Sequence, residues 1–264
     1  MRQALIDAGV LRYEIGYAAE VGWKGDGDSP PPFDYVAELL ENRISNICAV
    51  VEADTPPILF LTGKTNFRND IAKRRKYKDR DGRKPFHFKN ITAYMEAVYE
   101  TRKQEGLEAD DLMSMEQTKR RDETIICTRD KDLRQVPGLH YGWELGNQPQ
   151  FGPEEISDFG KIELRRSKSG IKIVGGGYKF FLSQCITGDS VDTVPGLRGY
   201  GPVKAFEMLD ATQGIPEAFK AVREAYKAVY GNDGDAELLE QGQLLWMVRE
   251  LNEDGSPKMW RFPE

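Results

Sequence analysis

The chain has 264 residues, enough for a sizeable core in one medium domain or in a larger lobe with a smaller one attached. Its 39% hydrophobic and 30% charged content excludes a disordered chain, and no apolar run of about eighteen residues exists to span a membrane. The net charge of −6 would exclude a nucleic-acid partner only if it were evenly spread. The opening MRQALIDAGVLRYEIGYAAE carries charges too early and lacks a small-residue cleavage site, so no signal peptide is expected. Cys48, Cys127 and Cys185 are far apart and read as buried apolar residues of a reducing compartment, neither a disulfide frame nor a zinc site.

In chain order, QALIDAG reads as a short apolar strand ending on Asp7, and KGDGDSPPPF (24–33) as a loop. Residues 34–48 show helical spacing, with Val36, Leu39, Leu40, Ile44 and Ile47 on one face. PPILFLTG (56–63) is a buried strand stopping at Gly63. A basic arm follows, then a helix near 90–104, a helix over 109–120, and an apolar strand in ETIICTRD (123–130). From 138 to 180 the texture is irregular, apart from a hairpin around Ser169-Gly170. After Gly188 the pattern is turn and helix to the end, with amphipathic helices over 215–230 and 235–251. Strands alternating with helices predict a mostly parallel sheet, whose sites lie at the carboxyl ends of its strands. Asp7 and Asp130 both fall there.

Charge is strongly localised. Between Lys64 and Lys89 eleven Lys and Arg stand against three acids, so this arm carries +8 and the rest of the chain −14. Cations interleaved with Phe67 and Tyr77 suit a surface that follows a phosphate backbone and stacks a base; alone, such a run is also what a solvated helix looks like. Three acidic clusters stand out besides Asp7: LEADD (Glu108, Asp110, Asp111), TRDKD (Asp130, Asp132) and GDSVD (Asp189, Asp192). Singly, each is explained by an acidic first helical turn, a cap or a turn. Together they form eight carboxylates, hard oxygen donors suited to Mg²⁺ or Mn²⁺, and their mutual repulsion calls for cations among them. Two such ions roughly 4 Å apart can activate water and stabilise the leaving oxygen of a phosphodiester. In VPGLRGYGPVKA, glycines let backbone N–H groups approach a phosphate, a helix opening near Pro202 offers its positive end, and Lys204 adds a point charge.

GDSVDTVPGLRGYGPVKA resembles the helix-three-turn-helix signature of the 5′ nuclease superfamily, the flap-endonuclease-like proteins. LEADD and TRDKDL resemble that family's two central acidic motifs in the right order. FRNDIAKRRKYKDRDGRKP resembles its arch motif, and the tail QGQLLWMVRELNEDG with KMWRFPE looks like the end of the short phage 5′→3′ exonucleases. The resemblance spans nearly the whole chain. It implies a PIN-like α/β nuclease core with a mostly parallel central sheet (1–187, with the basic arch at about 64–89) and a helical DNA-gripping lobe (188–264). It makes Asp7 the first-strand metal ligand, assigns Glu108, Asp110 and Asp111 to a first metal, and assigns Asp130, Asp132, Asp189 and Asp192 to a second. Lys78 and Arg83 match arch cations on the scissile phosphate, with Arg68 a further phosphate contact and Tyr77 a stacking partner. Gly196, Gly199 and Gly201, with Lys204, match the hairpin that grips duplex DNA, where the family also binds K⁺.

Two departures stand out. Gly63 occupies the place of the family's aspartate after the second core strand, and Asp70, seven residues on, is no substitute. The arm also holds about two extra residues between Phe67-Arg68 and Tyr77-Lys78, which leaves Arg80 as an alternative to Arg83. The implied activity is metal-dependent 5′→3′ exonucleolytic hydrolysis of duplex DNA, with catalysis by Asp7, Asp110, Asp130, Lys78 and Arg83. RNA-primer removal is a further expected activity, and phage DNA replication or host DNA degradation the expected setting. The expected form is a monomer in bacterial host cytoplasm. Two alternatives stay open: a flap endonuclease or RNase H-like enzyme acting on RNA–DNA hybrids, and a non-catalytic DNA-binding module.

Overall fold

The structure is a computed structural model that describes residues 1–25, 29–78, 82–167 and 170–263. The chain divides into two compact units. The first comprises Met1–Thr65, Asp81–Lys131 and Gly138–Glu155; the second comprises Asn66–Arg80, Asp132–Pro137 and Ile156–Glu264. This division is discontinuous, whereas the sequence reading drew a single boundary at 187. Among the described residues no helix is long and apolar enough to cross a membrane.

The first unit is built on β1 (Gln3–Asp7), β2 (Thr55–Phe60), β3 (Glu100–Arg102), β4 (Thr124–Cys127) and β5 (Gly138–Gly142), which with β6 (Phe151–Ile156) form a six-stranded sheet ordered β3-β2-β1-β4-β5-β6. β1 runs parallel to both β2 and β4, β3 parallel to β2 and β5 parallel to β4. The mostly parallel α/β sheet read from the sequence is therefore present. β1 is apolar on both faces: Ala4 and Ile6 join the core under the helices while Leu5 alternates to the other side. That core is closed by α1 (Ala8–Gly22), through Leu11, Ile15 and Ala19, and by α2 (Phe33–Val50), through Val36, Leu40, Ile44 and Ile47, each an i, i+3/i+4 stripe. α4 (Phe88–Val98) adds Ile91 and Met95 and packs against α1 and α2. α5 (Ala109–Lys119) packs against β1, β2 and β4.

Several elements differ from their sequence reading. α1 follows β1 directly, with the Asp7 side chain accepting from Val10 N as its cap. The helix expected to 104 stops at Val98, because Glu100–Arg102 pairs with β2 as a strand. The irregular stretch holds β5, β6, a hairpin and a buried helix, α6 (Gly177–Thr187).

In the second unit, β7 (Lys161–Ser167) and β8 (Gly170–Gly176) form the expected antiparallel hairpin; Ser169 itself lies outside the described residues. α6 is almost wholly buried and packs against α7 (Pro202–Leu209), α8 (Ile215–Tyr230) and α9 (Gly234–Leu245). The helix read over 235–251 ends at Leu245, and the chain from Trp246 onward lays Trp260 over α9, filling the space that Gly242 leaves. This core also takes in the start of the basic arm. Within α3 (Arg68–Ile71), Arg68 is fully buried, Nε donating to Leu244 O (2.9 Å) and Nη2 to Trp246 O (2.7 Å), with its guanidinium 4.6 Å from the Phe67 ring. Arg68→Ala leaves two carbonyls and a packed space without their partner. It is expected to lower unfolding stability by about 3 kcal/mol, read from the urea midpoint, and Arg68→Lys, which lacks the planar fork, is expected to recover only part of the loss.

Candidate metal and nucleic-acid site

In the first unit the strand order reverses on either side of the β1–β4 pair, so the crevice outside their carboxyl ends is where such a sheet offers a site. The register aligns Ile6 with Cys127, so Asp7 and Thr128 leave adjacent strands side by side. Thr128 Oγ1 donates to Asp7 Oδ2 (2.8 Å) and accepts from Asp130 N (2.9 Å), gathering the two acids around one hydroxyl. Asp7 is buried and its other oxygen accepts from Val10 N (3.0 Å). Burial pushes the Asp7 carboxyl above its ordinary range; bonds from Val10 and Thr128 oppose this, while the charge of Asp130 adds to it.

Glu108 precedes α5 and shares a capping box with Asp111, whose Oδ2 accepts from Glu108 N (3.2 Å). Asp111 is fully buried, Glu108 nearly so and Asp110 half-buried, while Thr62 Oγ1 after β2 accepts from Ala109 N (3.2 Å). The five candidate acids of this unit are oxygen donors only, a set whose chemistry fits a hard divalent cation, and such a cation would offset the burial that raises the Asp7 carboxyl. Among the described residues, though, no three His, Cys, Asp or Glu are drawn together closely enough to hold an ion.

Gly63 has a local reason. A Cβ there would lie 2.4 Å from Gln104 O, and Gly63 N faces Leu107 O (3.4 Å), so the backbone leading into α5 fills the place a side chain would take. Gly63→Asp is expected to destabilise the fold by about 1–3 kcal/mol without tightening divalent-ion binding. Thermal unfolding and Mg²⁺ titration of the variant check this; tighter Mg²⁺ binding at unchanged stability contradicts it.

Arg83 is not placed as the sequence resemblance implied. Its guanidinium pairs with Glu20 (2.6 Å) and lies over the Tyr17 ring (5.8 Å). Glu20 stands thirteen residues beyond Asp7, about 20 Å along α1. Arg83 is thus a surface partner of that helix, and nothing puts it beside a phosphate at Asp7. Arg80, the alternative, lies outside the described residues.

In the second unit Asp132 is buried and accepts from Gln184 Nε2. Asp189 and Asp192 are brought together: Asp189 Oδ1 accepts from Val191 N (2.7 Å) and Asp192 N (3.1 Å), and the backbones of Asp189 and Val194 bond reciprocally. Gly188 (φ +70°) and Gly196 (φ +73°) close this acid loop. A Cβ on either would lie within about 2.6 Å of the other's backbone. Gly196 is therefore buried chain closure and not a DNA-facing glycine. Gly199 (φ +83°) and Gly201 are exposed, with nothing near a Cβ position, so the backbone is approachable there. Lys204 Nζ donates to Gly199 O (2.9 Å) on the same exposed turn, which opens α7 at Pro202.

Two further arm residues depart from their expected roles. Arg68 is consumed by the core, as described, and does not face phosphate. Tyr77 is 4% exposed and packed in the same core, its hydroxyl donating to Asp192 Oδ2 (3.1 Å), so its ring is not presented to a base. Both were misread because a cation and an aromatic in a basic run look like surface; their partners lie more than a hundred residues away. Lys78 remains exposed, with positive φ (48°) and its ammonium 3.6 Å from Asp192. Lys73, Arg74, Arg75 and Lys76 line a hollow of about 470 Å³, where Arg74 pairs with Glu237 and Glu240.

No protein-family model matches this chain. Among curated proteins it is similar to DNA polymerase I of Chloroflexus aurantiacus, 25% identical over 263 residues that cover 94% of this chain and 26% of the polymerase. The chain thus spans about a quarter of that relative. Among solved structures it is similar to the bacteriophage T5 flap endonuclease in a pseudo-enzyme–product complex with DNA and metal ions (TM-score 0.53, 14% identity, 93% of this chain and 99% of that one). It is likewise similar to T5 5′-exonuclease with bound zinc (TM-score 0.52, 14% identity, 92% and 100%). The chain has the α/β fold of the 5′ nucleases, the fold its motifs resembled. More particularly, that fold is the one of the phage T5 5′-exonuclease, matched over nearly the full length of both chains.

Proposed function

We propose that this protein is a metal-dependent nuclease that hydrolyses DNA from 5′ ends. The observation that carries the reading is the gathering of Asp7 and Asp130 around Thr128 at the switch point of a 5′ nuclease-type sheet. Asp7, Glu108, Asp110, Asp111 and Asp130 would hold a divalent ion, Mg²⁺ or Mn²⁺, on the first unit, and Asp132, Asp189 and Asp192 would supply ligands for another on the second. When bound, such an ion supplies Lewis-acid stabilisation of charge on phosphate oxygens and eases ionisation of water.

The chain's own groups do the rest. Thr128 holds the Asp7 carboxylate and accepts from the Asp130 backbone, so one hydroxyl orients the first acid and fixes the chain that carries the second. Lys78 is the exposed arm cation suited to balance charge on a phosphate, and it must leave Asp192 to do so. The open turn at Gly199 and Gly201 with Lys204 is suited to duplex phosphates. Activity as a flap endonuclease or on RNA–DNA hybrids uses the same groups and differs in product length on end-labelled duplex, flap and hybrid substrates.

A second reading rests on Gly63. With that carboxylate position closed by the 104–105 backbone, a non-catalytic DNA-binding module follows, binding in a salt-sensitive way without hydrolysis. A time course on 5′-labelled duplex with and without Mg²⁺ separates the two. Asp130→Ala and Asp7→Ala are expected to slow Mg²⁺-stimulated cleavage by more than the roughly 10–100-fold lost when an outer partner of a metal ligand is removed, with duplex binding retained. Cleavage at the wild-type rate in both variants would sink the assignment.

A further inference from the structure

The β7–β8 hairpin takes no part in the site above, yet its charge pattern demands an explanation. Strand alternation sends Ile162 and Ile173 into the second unit's core and leaves Lys161, Glu163, Arg165 and Lys172 on the opposite face. The register sets Arg165 directly across from Lys172. Like charges facing each other across a strand pair cost stability, and a hairpin selected only for folding would place an acid at one of the two positions. Lys161, Arg165, Arg166 and Lys172 are all exposed, and none of their side chains makes a hydrogen bond or ion pair among the described residues. Some exposed cations elsewhere are neutralised, Arg223 by Asp235, Arg102 by Glu100 and Glu116, Lys258 by Glu250, and others such as Lys89 and Arg198 stand singly among the described residues; the hairpin differs in setting two cations face to face.

We infer that the outer face of this hairpin is a second contact for the phosphate backbone of double-stranded nucleic acid. The inference rests on the DNA-directed reading above but needs no catalysis. Two observations favour a duplex over other polyanions. α7, whose first turn carries the open Gly199–Gly201 approach, packs against both β7 and β8, so the two cationic surfaces share one support. The exposed apolar residue of the hairpin, Leu164, lies on the other face, and the cationic face carries only the half-buried Val174 across from Glu163, little to insert into a lipid surface. Opposed cations fit successive phosphates because the anion that relieves their repulsion arrives with the ligand.

The test uses the full chain and a blunt DNA duplex in EDTA, with anisotropy measured across a salt series. The double variant R165Q/K172Q is expected to lose roughly 10-fold in affinity at low salt and to reduce the slope of log K against log salt by about 2, one phosphate contact per cation. K172E places an acid opposite Arg165 and is expected to raise the thermal midpoint while weakening duplex binding, a combination that mere misfolding does not produce. An unchanged salt slope in the double variant overturns the inference, as does tighter wild-type binding to phosphatidylserine vesicles than to the duplex. If wild-type protein binds with the stated slope but Mg²⁺ elicits no cleavage, the nuclease reading fails and the hairpin contact stands. Cleavage with an unaffected slope removes the hairpin contact alone.

Discussion

The arrangement turns on one hydroxyl that joins the carboxylate of Asp7 to the backbone N–H of Asp130. Thr128 Oγ1 donates to Asp7 and receives the backbone N–H of Asp130, so charge accumulates where the central strands of a parallel sheet release their chains. Burying a carboxylate is costly unless it is paired or hydrogen-bonded, and Asp7 meets that demand twice, through Thr128 and as the cap of α1. The same two bonds fix its rotamer. Strand register brings Asp7 beside Thr128, and helix entry and acid placement then meet in that one side chain.

The second unit solves a related problem by other means. Asp189 and Asp192 lie in a loop whose ends are pressed together by Gly188 and Gly196, and the acids are held by N–H groups within that loop. Thr193, at φ +61°, bonds to Lys76 O, which fastens the arm to the acid loop beside the Tyr77 and Lys78 contacts to Asp192. A turn that looked in sequence like one ligand-facing glycine ladder divides its labour. Gly196 serves chain closure, while Gly199 and Gly201 leave backbone open to an approaching ligand.

What was legible in the sequence was whatever local pattern decides. β1, β2 and β4 announced themselves as apolar runs, α2 and α8 as helical stripes, and the acids by sitting at strand ends and helix starts. What was not legible depends on distant partners. Arg68 became core because carbonyls at Leu244 and Trp246 needed donors; Tyr77 because Asp192 lay within reach; Arg83 because Glu20 on α1 competed for it. α1 was missed because Gly9, Gly16 and Gly22 dilute its helical signal, while packing supplies what propensity lacks: Gly16 lies where a Cβ would strike Pro85. β3 is a strand only because β2 offers an edge.

The burial of Arg68 and Tyr77 has a consequence for the stretch between them. Between these two anchors the stretch is held again: Ile71 and Ala72 pack on the same core, the N–H groups of Lys73 and Arg74 donate to Glu240, and Lys76 O accepts from Thr193. The spacing between Arg68 and Tyr77 is therefore fixed by backbone contacts, whereas the exposed side chains of Lys73 and Arg75 can be exchanged over generations while the anchors keep the same grip.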